Sequence, residues 1–164
     1  MDEFEVTSGT LILSDPCYEI ETWCTVTVPA EIGTWIGFVN RAKDTRIAEL
    51  IVVNKEFTRK PESFAENWKL LDGEVGVDSG QAGVFDLAVY PQDGSTGEHD
   101  DENSFYGQCC KVTLDKTQGR AGKVNGGFVA SSGYGDGGYD AYAIYDDRNN
   151  AVAIKIVFIP ESYR

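Results

Sequence analysis

Apolar and polar residues alternate at a period of two in one short run after another, and glycine, proline and aspartate separate the runs. Period two sends successive side chains to opposite faces, so the pattern predicts strands. The clearest run is Ala151 to Ile159. It carries Val152, Ile154, Ile156 and Phe158 on one face, and Lys155 is the single charge on the other. Arg46 to Asn54 places Ile47, Ile51 and Val53 on one face and Ala48, Leu50 and Val52 on the other. Two apolar faces predict a central strand. Thr10–Ser14, Trp23–Val28, Thr34–Asn40, Trp68–Leu71, Glu74–Val77, Val84–Tyr90, Gly126–Ser131 and Tyr139–Tyr145 complete the set, with a hairpin turn at Asp146–Asn150.

Helix signals are few. Phe57 to Asn67 is polar, contains Pro61 and has room for one helical turn. Asn103 or Ser104 suits a helix cap, and a short helix to about Lys111 would align Phe105, Cys109 and Val112 on one face. A strand continuing through Leu114 is the alternative. Gln92 to Asn103, rich in acids and glycine, reads as a variable or disordered loop, and Thr117–Lys123 reads as a second loop. No repeat or linker divides the chain, so residues 1–164 are expected to form one domain. The expected fold is mainly β, an antiparallel sandwich or partly open barrel of about ten strands with one or two short helices. At 164 residues such a domain buries roughly two-thirds of its unfolded surface, enough for a core without staples.

Charge narrows the function. The chain has 14 basic and 27 acidic residues, a net charge of −13. Phosphate backbones repel such a surface, so no direct nucleic-acid binding is expected. The charge serves solubility, or it attracts a basic protein partner such as a nuclease. No apolar run approaches a membrane span, and the acidic start Met1–Glu5 lacks the form of a secretory signal. A cytoplasmic protein without membrane association is the expectation. The four cysteines, Cys17, Cys24, Cys109 and Cys110, form no zinc pattern, and His99 is the single histidine. Four free thiols, mostly buried, are expected in a reducing compartment.

Three segments stand apart. Ser8–Tyr18 delivers Ser14 and Asp15 to a strand end, where Pro16 stops it. Asp15 either accepts backbone N–H groups in a turn or faces a ligand. Val77–Asp86 supplies Asp78, Ser79 and Gln81 around two glycines, and a tight connection between strands is its plain reading. Ser131–Tyr142 has four glycines in six positions around Asp136. Such a loop is costly to order and suits amides turned to an anion or oxygens turned to a cation. Asp140 and Tyr142 follow on one strand face, with Tyr139 on the other. The segment Gly133–Asp140 resembles one unit of a calcium-binding nonapeptide repeat, but there is a single copy. No P-loop, EF-hand or Ser-His-Asp set is present, and no motif names a cofactor.

Together these segments resemble an uncharacterised family of small bacterial and phage proteins, marked by signatures like SGxLxLSDPCY, VDSGQAGxFD and SSGYGDGxYDxY. The adjacent pair Cys109-Cys110 after Phe105-Tyr106 is similar as well. The resemblance spans nearly the whole chain and implies no activity, but it admits a phage origin. The expectation is a binding module in which Asp15, Asp78, Ser79, Gln81, Tyr134, Asp136, Asp140 and Tyr142 converge on one polar pocket, edged also by Tyr18. Its ligand would be a small polar molecule, a nucleotide or a divalent cation. The rival expectations are an acidic inhibitor or immunity-type protein that covers a basic partner, and a carboxylate- or metal-dependent hydrolase.

Overall fold

All eight residues of Ile47–Asn54 are buried, and they form the middle of the larger of two sheets. A computed structural model describes residues 2–59 and 67–164 of the protein. Its strands are β1 (Asp2–Val6), β2 (Thr10–Ser14), β3 (Val26–Pro29), β4 (Gly33–Arg41), β5 (Ile47–Asn54), β6 (Lys69–Leu70), β7 (Val75–Val77), β8 (Gln81–Asp86), β9 (Ala121–Val124), β10 (Gly127–Ser131), β11 (Gly137–Tyr145) and β12 (Ala151–Val157). The larger sheet runs β1-β4-β5-β12-β11-β6, with β7 also on β11. The smaller runs β3-β2-β8-β10-β9, and every strand pairing in both sheets is antiparallel. The main core unites the inner faces: Leu11, Leu13, Val84 and Phe128 from one sheet meet Trp35, Leu50, Val52, Ile154 and Ile156 from the other. This is a β-sandwich, not a closed barrel.

The alternation is obeyed except at two bulges. Ile144 pairs with Ala153 and Tyr145 with Ala151, leaving Val152 as the extra residue. Val152 therefore joins the outer cluster with Ile51 and Val53, while Ile154 and Ile156 stay inside. Asn40 pairs with Glu49 and Arg41 with Ile47, and this second bulge turns Ile47 inward with Leu50. Two strands escape the alternation reading. The acidic residues of β1 conceal its inward pair, Phe4 and Val6, and β9 falls in a stretch expected to be loop. Trp23–Thr25 precedes the strand it was expected to open, and the expected Val84–Tyr90 strand is Gln81–Asp86 instead.

One α-helix occurs among the described residues, α1 (Phe105–Leu114). Ser104 caps it, accepting from the Gly107 N–H at 3.0 Å. Phe105, Cys109 and Val112 pack with Ile12, Phe85 and Val129 on the outer face of the smaller sheet. Neither this helix nor the short 3-10 turns at Phe57–Arg59 and Glu161–Tyr163 could cross a membrane. The rest of the helical turn expected in Phe57–Asn67 lies outside the described residues. The acidic loop before α1 is anchored, not free. Thr96 Oγ1 donates to the Cys17 carbonyl, Tyr106 N–H to the Thr96 carbonyl, and Ser104 Oγ to the carbonyls of Glu98 and Asp101.

Buried carboxylates fasten the connections. Asp86 accepts from the amides of Thr7, Ser8 and Ala88 and from the hydroxyls of Thr7 and Ser8. Glu49 accepts from Arg164 at 2.7 Å and Asn40 at 2.8 Å. Burial pushes both carboxyls up, but these hydrogen bonds outweigh it and hold both below their usual values. A carboxyl lowered on folding stabilises the native state above its unfolded value, and that stability is lost as pH falls through the folded one. The melting temperature is therefore expected to hold from pH 7 to about pH 5 and to drop steeply below about pH 4. A melting curve unchanged down to pH 2.5 would contradict this assignment.

Candidate functional site

The three unusual segments meet, and residues 78–81 join them. Asp15 is fully buried, and its two oxygens accept four hydrogen bonds. These come from the Cys17 amide at 2.9 Å, the Asp78 amide at 2.9 Å, and the Ser79 amide and hydroxyl at 2.6 Å each. Across the loop, the Gly80 amide donates to Asp136 Oδ1 at 3.0 Å, and the Gly80 carbonyl accepts from Ser132 N–H at 3.0 Å. Gln81 is buried and spans to α1, donating to Cys110 Sγ at 3.3 Å and accepting from Thr113 Oγ1 at 3.1 Å.

These contacts place each residue expected at the site. Asp15, Ser79 and Gln81 spend their polar groups on holding segments together. Asp78 is exposed, with its backbone amide committed to Asp15. Asp140 is exposed on β11, paired in register with Val157. Tyr142 lies half-buried on the outer face, where Lys155 Nζ sits 5.4 Å from its ring and 4.6 Å from that of Trp68. Tyr18 stays beside Asp15, its carbonyl accepting from the Tyr90 hydroxyl at 2.7 Å. None of the expected carboxylates lines the groove that the glycine-rich segment borders. Among the described residues no group of three or more His, Cys, Asp and Glu side chains could hold a metal ion.

The cysteines are placed as expected of buried thiols. All four thiols are free and three are buried. Burial first, and then the charge of Asp15, push the Cys17 thiol up to about 12, so it stays protonated at neutral pH.

The glycine-rich segment does border a groove, of about 630 Å³. Its opposite walls are the β4–β5 hairpin end and the loop between α1 and β9. Arg41, Arg46, Lys116 and Arg120 line it, against one carboxylate, Asp44. Four of the chain's 14 basic residues thus share one surface of a strongly acidic protein. Arg41 builds the groove, since it donates to the Thr45 carbonyl at 3.0 Å and the Gly119 carbonyl at 2.6 Å, tying the two walls. Arg46 pairs with Asp44 and lies 4.8 Å from the Tyr134 ring centre. The side chains of Lys116 and Arg120 have no ion pair among the described residues.

The floor supplies backbone. Gly135 N–H donates to the Ser132 carbonyl at 3.0 Å, closing a turn with Gly133 and Tyr134 at its centre. Gly133 has φ +62°, and a Cβ there would lie 3.0 Å from Ile159 Cγ1 and 3.2 Å from the Ile47 carbonyl oxygen, so a side chain is both strained and crowded at this position. The amides of Gly133 and Tyr134 have no acceptor among the described residues. The Tyr139 hydroxyl buttresses the turn from below, donating to the Gly135 carbonyl at 2.5 Å. Of the residues expected at the site, Tyr134 alone lines this groove. Its four cations lie in two turns, RAKDTR and KTQGR, far apart in the chain and with no motif of their own.

Comparison with protein-family models, curated proteins and solved structures finds no match. The chemistry of the site therefore rests on its own residues.

Proposed function

We propose that the protein is a cytoplasmic binding module for a small phosphate-bearing anion, held in the groove between the glycine-rich turn and the two cationic turns. The observation that carries this reading is the gathering of Arg41, Arg46, Lys116 and Arg120 in a chain of net charge −13. Cations scattered for solubility would alternate with acids. Here they face one cavity, whose volume suits a small molecule. Guanidinium groups match phosphate oxygens bidentately, and unpaired amides complete such a cradle. Three buried free thiols agree with a reducing compartment. The divalent-cation and metal-hydrolase alternatives find no ligand set among the described residues. The acidic-inhibitor reading keeps its support from the rest of the surface, which is the more negative for the cations being collected in one place.

Thermal melting with pyrophosphate tests the proposal. A ligand at about 100 times its Kd adds about 2.7 kcal/mol, or roughly 5–10 °C for a domain of this size. Lys116→Ala with Arg120→Ala should abolish the shift and leave the unliganded melting temperature within about 2 °C, because neither side chain holds the fold. An unchanged melting point with pyrophosphate, or an equal shift in the double variant, would count decisively against the anion site. The affinity should also weaken as salt rises.

A further inference from the structure

The groove has a second chemical feature that a phosphate does not use. Tyr134 stands on its wall, 67% exposed, although an aromatic ring gains by burial. It is held there on purpose-built backbone. Gly133 and Gly135 flank it, both at positive φ, and Arg46 lies against the ring. A Cβ at Gly135 would meet no atom within 4 Å beyond its chain neighbours, so the turn is uncrowded next to Tyr134. An exposed, oriented ring next to four cations matches a ligand with a planar group joined to an anionic one.

Resting on the anion-binding reading, we propose that the ligand is a mononucleotide, its base stacked on Tyr134 and its phosphates held by Arg41, Lys116, Arg120 and the free amides of the glycine-rich turn. Every base has a π-face, so a tyrosine platform takes a base with little demand on its identity. Charge sets the size of the ligand. A local basic groove in a globally acidic surface accepts a short anion, whereas an extended phosphate backbone would run off the groove onto repelling carboxylates. The groove therefore selects mononucleotides over strands.

Titration calorimetry with ADP, pyrophosphate and a ten-nucleotide single strand provides the test, on native protein, Tyr134→Ala and Tyr134→Phe. On native protein ADP should bind about tenfold tighter than pyrophosphate, the increment expected of one stacked base. Tyr134→Ala should bring ADP to the level of pyrophosphate, weakening ADP far more than pyrophosphate. Tyr134→Phe should retain the ADP preference. If both ligands bind native protein equally, or if Tyr134→Ala weakens both alike, the nucleotide assignment falls while the anion site stands. If the strand binds more tightly than ADP, the size argument is wrong. If neither ADP nor pyrophosphate binds, the anion reading itself fails and takes this inference with it.

Discussion

Asp15→Ala is expected to melt about 10 °C below the native protein. The carboxylate is inaccessible to solvent and is the acceptor for three amides and one hydroxyl. Alanine leaves those part-buried donors without their partner. Each orphaned buried donor costs about 1–3 kcal/mol, and partial relaxation of the loop limits the total to about 3–4 kcal/mol. For this chain length each kcal/mol moves the midpoint by roughly 2–4 °C. Asp15→Asn should lose about half as much, because one oxygen still accepts while the new amide group opposes a donor. A differential scanning measurement of both variants decides the matter. Asp15→Ala melting within about 2 °C of native protein would mean that the carboxylate is not a fastener, and its availability to a ligand would have to be reconsidered.

Gly107→Ala is the second large effect, and its sign runs against helix propensity. In an exposed helix interior this change stabilises by about 1 kcal/mol. Here a Cβ would lie 2.0 Å from the Asp101 carbonyl oxygen, 2.6 Å from its carbon and 2.9 Å from the Glu98 carbonyl oxygen. Backbone cannot rotate aside like a side chain, so the loop 98–101 must lift. That movement also strains the Ser104 cap, whose hydroxyl donates to the same two carbonyls. A loss of about 2–3 kcal/mol is expected in urea unfolding. Gln108→Ala, one position on and exposed, should be neutral or slightly stabilising. Equal behaviour of the two variants would show that the loop does not press on the helix.

The sandwich was legible because burial on one face imposes period two, which β3 and β4 show, and because β5 and β12, buried on both faces, carry long apolar runs. What the pattern missed has specific causes. In β1 only Phe4 and Val6 point to the core, too few to register among acids. At Val152 and Ile47 a bulge breaks the period that sequence reading assumes. The site divides in the same way. The aspartate-rich segments announce themselves by composition, but composition does not separate a carboxylate that binds a ligand from one that binds its own backbone. Asp15 and Asp86 are the second kind. The groove depends on contact between residues 41–46 and 116–120, and that contact exists only once Arg41 reaches Gly119 across the folded sheets.

The outermost strands carry a consequence for behaviour at high concentration. Among the described residues each sheet ends in strands paired on one side only, edges that a second copy could extend. On one border β1 bears Asp2, Glu3 and Glu5; on the other, β6 has two residues. In the smaller sheet β3 finishes at Pro29, which lacks a donor, and β9 carries Lys123 at its exposed position. Like charges meeting strand to strand repel, and short or proline-ended borders offer too few hydrogen bonds to nucleate growth. The acids of β1 thus make that border a poor template for fibril growth.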